Sequence, residues 1–163
     1  MAAGDGRKPG RWSNILRQVW KPFLTRADKA RITAAIAKEE ARTTGEIRVH
    51  IIARAGRQDV LQLAKRRFIL GGLHKTTERN GVLILIASAD RKFAIWGDEG
   101  LHAKTGQDLW ERARDALAAQ FAQGRYVEGI EACVHEVGNE LARHFPNASG
   151  RSRNEIPNEV IED

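Results

Sequence analysis

The residues with the clearest capacity for chemistry are oxygen donors placed at the ends of apolar runs. Glu46 opens the run EIRVHIIA, Asn80 precedes GVLILIA, and Asp98 and Glu99 follow KFAIWG. Carboxylates and a side-chain amide from separate loops are the ligand types that Ca²⁺ or Mg²⁺ takes. Arg79, beside Asn80, brings a cation to the same set, while Arg54, Arg57, Ser88, Asp90 and Arg91 gather at the other ends of the runs. Each donor also has a purely structural use. Asn80-Gly81 is a turn dipeptide, and the stretch from Asp98 to Gly100 suits a helix cap.

Other reactive patterns fail on spacing. Gly72-x-x-Lys75-Thr76 resembles a phosphate loop, but His74 stands where glycine should precede the lysine, and the segment follows a helix and leads into a strand. His135-Glu136-x-x-Asn139 lacks the second histidine of a zinc-protease helix. Cys133 is the only cysteine and falls beside Ile130 and Val137 on a helix, the place of a buried, inert thiol. No Gly-x-Ser-x-Gly elbow is present, so no catalytic nucleophile is assigned.

The elements that must position these residues follow from hydrophobic period. Thr25 with Asp28 caps a helix carrying Ile32, Ala35, Ile36 and Glu39 that ends near Arg42. Glu46–Ala53 alternates as a strand, and Asp59 caps a helix carrying Val60, Leu61, Ala64, Phe68 and Ile69 that stops at Gly71-Gly72. Leu73–Arg79 reads as a polar loop. Gly81–Ala87 is apolar throughout, as in a strand buried on both faces, and Asp90-Arg91 turns the chain into a hairpin partner at Lys92–Gly97. Two helices close the order, one beginning at Thr105 and one after Gly124. A right-handed strand–helix–strand crossover makes the first two strands parallel. The expected fold is therefore an α/β three-layer α/β/α sandwich with a small mixed sheet. It gathers Glu46, Arg79, Asn80, Asp98 and Glu99 on one rim.

The chain has 163 residues, 42% apolar and 29% charged, which fits one globular core. Its longest apolar run, Val82–Ala87, is far short of the roughly 20 residues that span a bilayer. The net charge of +6 is spread out, with five basic residues against one acid in residues 1–24 and two against four in residues 147–163. No like-charge block or aromatic-interleaved basic stripe supports nucleic-acid binding. The expected division is a disordered start and basic helix over 1–22, a domain over 23–146 and a polar acidic tail over 147–163. With no signal peptide evident, the expected location is the cytoplasm.

The stretches Thr44-Gly45-Glu46-Ile47-Arg48-Val49, Arg79-Asn80-Gly81-Val82-Leu83-Ile84-Leu85-Ile86, Asp90-Arg91-Lys92-Phe93-Ala94-Ile95 and Gly97-Asp98-Glu99-Gly100 together resemble the TPM domain family. Phe121-x-x-Gly124 and Gly129-Ile130 extend the resemblance, which runs from about Phe23 to Pro146. It implies an α/β/α sandwich, an acid-phosphatase activity as in some plant members, and divalent-cation binding as in some bacterial ones. The family's acidic pocket transfers to Glu46, Asn80, Asp98 and Glu99, with Asp90-Arg91 a separate matching pair. Many members read Asp-Asn-Gly where this chain has Arg79-Asn80-Gly81. That exchange of carboxylate for cation weakens a metal site, or frees Arg79 to hold a phosphate or pair with Glu46.

Trp12, Ile15, Leu16, Val19, Trp20 and Phe23 form one apolar stripe at helical spacing, with Arg11, Arg17 and Lys21 off it. Such a stripe folds onto its own domain, lies on an anionic membrane surface such as the inner face of the bacterial membrane, or docks a partner protein. The expected function is a binding or accessory module with a weak Ca²⁺ or Mg²⁺ site. A metal-assisted phosphatase using Glu46, Asp98 and Glu99 is the alternative.

Overall fold

The structure, a computed structural model, describes residues 1–5, 23–150 and 156–163. Its centre is the run Gly81–Ala87 (β3), buried at every position. Because side chains alternate across a strand, β3 must be covered on both sides. Glu46–Ile52 (β2) pairs with it in parallel, Glu46 opposite Gly81, and Lys92–Gly97 (β4) pairs antiparallel, Gly97 opposite Val82.

Two further strands lie at the edges. Ala2–Asp5 (β1) pairs antiparallel with β4, and Ile161–Glu162 (β5) pairs parallel with β2, giving the order β1-β4-β3-β2-β5. The start of the chain, expected to be disordered, therefore supplies an edge strand at residues 2–5, and the polar tail supplies the other. Neither piece shows periodicity, because strands of two to four residues are too short to display one.

The outward alternation of the sheet sorts the helices into two layers. Ile47, Val49 and Ile51 of β2, Val82, Ile84 and Ile86 of β3, and Phe93 and Ile95 of β4 pack in one cluster. Facing them are Arg26–Glu40 (α1), Gln107–Phe121 (α4) and Tyr126–His144 (α5). Leu83, Leu85, Ala87 and Ala94 face the opposite way against Val60–Leu70 (α2). This is the expected α/β/α sandwich. Ile84 is fully buried in its middle, where truncation to alanine costs about 2–5 kcal/mol.

Local signals account for the starts of α1 and α2. Thr25 and Asp28 form a reciprocal capping box at α1, and Asp59 accepts from the Gln62 amide at α2. Asp98 does cap a helix, but a short one, Glu99–Thr105 (α3), that the expected order of elements lacks, and α4 starts at Gln107 rather than Thr105. The loop after α2 includes a 3-10 turn at Leu73–Lys75 whose Leu73 is fully buried. Of the aromatic stripe, Trp12, Ile15, Leu16, Val19 and Trp20 lie outside the described residues. Phe23 packs its ring on Tyr126, with centroids 4.8 Å apart, and on Phe121. Among the described residues, no helix is long and apolar enough to cross a membrane.

Candidate functional site

Sheet register brings three separated turns under one rim. Glu46 begins β2, Gly81 begins β3 beside it, and the Asp98 amide donates to the Gly81 carbonyl at 2.9 Å just past β4. Glu46, Asn80 and Asp98 are all buried, at 1%, 1% and 4% exposure. Burying three such polar side chains at one rim is costly unless each is answered by a partner.

Asp98 is answered by Arg79. The guanidinium Nε donates to Oδ2 at 2.7 Å and Nη2 donates to Oδ1 at 2.9 Å, while Nη1 lies 3.1 Å from Glu99 Oε1. Hydrogen bonding to Asp98 holds the Arg79 pKa above its ordinary value. Asp98 Oδ1 also accepts from the Glu99 amide at 2.8 Å, which caps α3. Arg79 reaches this position from a left-handed backbone, φ +52°, and the Gly100 amide donates to its carbonyl at 2.9 Å. Arg79 thus pairs with Asp98 and Glu99, the acids beyond β4, and its main chain ties the two turns together.

Asn80 is held by its neighbours as well. Its amide donates to Thr76 Oγ1 and its Nδ2 to Thr44 Oγ1, both at 3.1 Å, while its buried Oδ1 has no hydrogen-bond partner among the described residues. Thr44 Oγ1 in turn donates to Glu78.

Glu46 has a companion outside the expected donor set. Glu40, at the end of α1, is buried at 8% exposure, and its Oε1 accepts from the Ile47 amide at 2.7 Å. Burial, together with the charge of and hydrogen bond to Glu46, pushes the Glu40 pKa up to about 8, although the Ile47 amide opposes this. Glu40 therefore keeps its proton near neutral pH beside the Glu46 carboxyl. The signal was available, since Ile32, Ile36 and Glu40 stand four apart and so share one helical face.

Asp90 anchors the opposite rim. Asp90 Oδ2 accepts from the Ala55 and Gly56 amides at 2.7 and 3.0 Å, and Oδ1 lies 3.3 Å from Arg54 Nη1. Ser88 Oγ donates to the Ile52 carbonyl at 3.3 Å, Arg91 takes φ +56°, and Arg57 is exposed. Asp90 so fastens the loop after β2. Cys133 is fully buried, and burial pushes its thiol pKa well above the ordinary range. His135 bonds Glu39 Oε1 at 2.9 Å rather than facing a second histidine.

Ca²⁺ or Mg²⁺ fits the rim donors in kind but not as they are arranged. Both Asp98 oxygens are engaged, Glu99 is turned toward water with 75% of its side chain exposed, and Glu46 lies beside a Glu40 carboxyl whose pKa is raised to about 8. Among the described residues no group of three or more His, Cys, Asp and Glu side chains converges as a metal cluster. The arrangement suits a guanidinium.

The sequence profile of the TPM domain matches residues 21–140. The chain belongs to the TPM domain family. Its fold is similar to the NMR structure of the BA42 protein of the psychrophilic bacterium Bizionia argentinensis, with a TM-score of 0.80 and 33% identity over 88% of this chain and 97% of that one. The N-terminal domain of the cg2496 protein of Corynebacterium glutamicum shares the fold at a TM-score of 0.60 and 18% identity, over 72% of this chain and 74% of that one. A search of curated proteins gave no match.

Proposed function

We propose that this TPM domain is an accessory, non-hydrolytic module that divalent cations reach only weakly, by displacing its own guanidinium. The observation that carries this reading is the two-pronged bond of Arg79 to Asp98. An ion at these donors must break charge-assisted bonds already made and then lie against a cation of like sign. The docking face of the module is assigned to Trp12, Ile15, Leu16, Val19 and Trp20, whose apolar side and flanking basic residues suit an anionic lipid surface, while Phe23, the last member of the stripe, packs on Phe121 and Tyr126 instead.

A Ca²⁺ or Mg²⁺ titration followed by amide NMR shifts tests the cation claim. The expected result is weak, saturable movement confined to residues 44–47, 79–81 and 97–100, and binding at least about tenfold tighter in Arg79→Ala because the ligands are freed. Identical binding in both proteins overturns the displacement. Hydrolysis of an aryl phosphate that disappears in Glu46→Ala and Asp98→Ala would replace the module with a hydrolase. Cosedimentation with anionic vesicles, compared with a chain beginning at Pro22, checks the docking face.

A further inference from the structure

Among the described residues, the exposed large hydrophobic side chains are Ile69 and Leu70, at 48% and 83%. They stand next to each other at the end of α2. Single exposed apolar residues are ordinary on a protein surface, but an adjacent pair beside an open cleft is a patch. The cleft, of about 270 Å³, begins where the pair stops. Gly71, Gly72, Lys75 and Thr76 form one wall, and Ile156 and Pro157 of the C-terminal segment form the apolar other.

The helix decides what faces outward. Val60, Ala64 and Phe68 stand four apart and are buried against the sheet. That leaves Gln62, Arg66 and Ile69 on the outer face and turns Leu70 to the same flank as Arg67. The Asp163 carboxylate reaches Arg67 at 2.8 Å, so this is the flank beside the C-terminal segment. The turn that presents Leu70 is fixed from beneath. Gly72 takes φ +75°, Arg48 Nη1 donates to the Gly71 carbonyl at 3.1 Å, and Leu73 is fully buried. An apolar knob already held in place loses little freedom on binding.

Charge selects the occupant. From Val60 to Lys75 the chain carries Lys65, Arg66, Arg67, His74 and Lys75 but no acid, and none of the residues lining the cleft is acidic. Arg67 is answered by Asp163, and Lys65 lies over the Trp96 ring, 5.5 Å from its centroid. Arg66 and Lys75 are exposed, and Arg66 gives one donor to Gln58. A second copy of this chain would bring these cations against their own images across a twofold axis. A flat bilayer would cover a protruding leucine and leave the cleft beside it unfilled.

We propose that the end of α2 and the adjoining cleft dock an acidic, apolar peptide segment of a partner protein. One apolar side chain of the segment enters the cleft against Ile156 and Pro157, its main chain crosses Leu70, and its carboxylates meet Arg66 and Lys75. Opposed charges set the register and speed the encounter, while the apolar surface removed from water supplies affinity. Neither the Arg79 and Asp98 pair nor the stripe from Trp12 to Trp20 takes part, so this surface stands or falls separately from the function proposed above.

The test is amide NMR of the full chain at fixed ionic strength, titrated with a capped pentapeptide in which glutamate and phenylalanine alternate. Two counterparts serve as comparisons, one with lysine for glutamate and one with serine for phenylalanine. The acidic, aromatic peptide is expected to move Arg66, Ile69, Leu70, Gly72, Lys75 and Ile156, and to bind at least about tenfold more tightly than either counterpart. Its affinity should fall as salt rises. Leu70→Ser and Lys75→Gln change exposed side chains, so both keep the fold, and each should weaken binding by about fivefold or more. Absence of shifts at about 1 mM peptide, equal binding of the lysine counterpart, or unchanged affinity in Leu70→Ser would each overturn the assignment. So would a loss, in Leu70→Ser, of cosedimentation with anionic vesicles or of concentration-dependent association without any peptide shift, which would give the knob to lipid or to a second copy.

Discussion

Arg79 and Asp98 meet fork to fork across the rim of the sheet, through bonds of 2.7 and 2.9 Å, and the same aspartate caps α3. Two roles on one side chain give its substitutions an order. Asp98→Ala loses both and should cost about 1–2 kcal/mol through the cap alone, whereas Asp98→Asn keeps a capping oxygen and should be milder. Arg79→Gly and Arg79→Ala lose the same pair, but only alanine must still hold the left-handed backbone at φ +52°. Urea denaturation should therefore rank Arg79→Gly above Arg79→Ala. The reverse order would mean that the side chain, and not the turn, dictates that conformation.

The Glu40 and Glu46 pair predicts a stability that falls as pH rises. Burial and the neighbouring carboxyl lift Glu40 from 4.5 to about 8, so between those values the folded chain holds a proton that the unfolded chain has lost. The contribution is complete below pH 4.5 and disappears as pH climbs to about 8, with a slope of at most about 1.4 kcal/mol per pH unit. Glu40→Gln keeps an oxygen for the Ile47 amide and cannot ionise. Unfolding free energies at several pH values should show this slope in the wild type and a flatter course in Glu40→Gln. Parallel courses would show that the pair ionises as freely as it does in the unfolded chain.

Much of the fold was legible because hydrophobic period reports directly on burial. The bounds of β3 and β4 follow from it, the caps Thr25 and Asp59 from residue type, and the parallel pairing of β2, with the gathering of Glu46, Asn80 and Asp98, from the handedness of the crossover. The edge strands were not legible, since Ala2–Asp5 and Ile161–Glu162 are recruited by the exposed edges of β4 and β2 rather than by any pattern of their own. Within the rim, residue types could suggest oxygen ligands but not who answers them. The sequence allows Arg79 to pair with Glu46. A left-handed turn directs it to Asp98 and Glu99 instead, and Glu46 meets Glu40. Glu40 was overlooked because a glutamate at a helix end reads as solvated, although its spacing from Ile32 and Ile36 placed it inward.

The glycines flanking the acidic pair are explained by contact rather than by ligand binding. A Cβ on Gly97 would lie 1.9 Å from the Trp110 ring, and one on Gly100 would lie 2.3 Å from the Glu78 carbonyl oxygen. Gly97→Ala must displace a fully buried indole whose Nε1 donates to His102 Nδ1 at 2.8 Å, and should cost about 3 kcal/mol. Gly100→Ala must push back main chain at Glu78 and Arg79, so it should disturb the rim as well as stability. Thermal denaturation measures the first effect, and amide shifts at residues 79–81 the second. Unchanged shifts at Arg79 in Gly100→Ala would show that the two turns are not mechanically joined.

The C-terminal strap covers an edge that would otherwise be open. Ile161–Glu162 pairs with β2, the Asp163 amide donates to the Ile51 carbonyl at 2.9 Å, and the Asp163 carboxylate reaches His50 Nε2 and Arg67 Nη1, each at 2.8 Å. Glu162 pairs with Lys29. Removing residues 156–163 bares a row of β2 backbone groups, the kind of edge on which a second chain can add. Sedimentation velocity should then show association that grows with concentration, and hydrogen exchange along β2 should quicken. Asp163→Ala is the gentler variant, because the ladder and Glu162 remain in place. It should speed exchange at residues 161–163 without promoting association. The bond to His50 is the main cause of a lowered Asp163 pKa, so the latch is present above the ordinary value of 3.8 and fades as pH falls through the lowered one. Acid should therefore reproduce the exchange pattern of Asp163→Ala in the wild type, and a strap equally protected in acid would place the latch elsewhere.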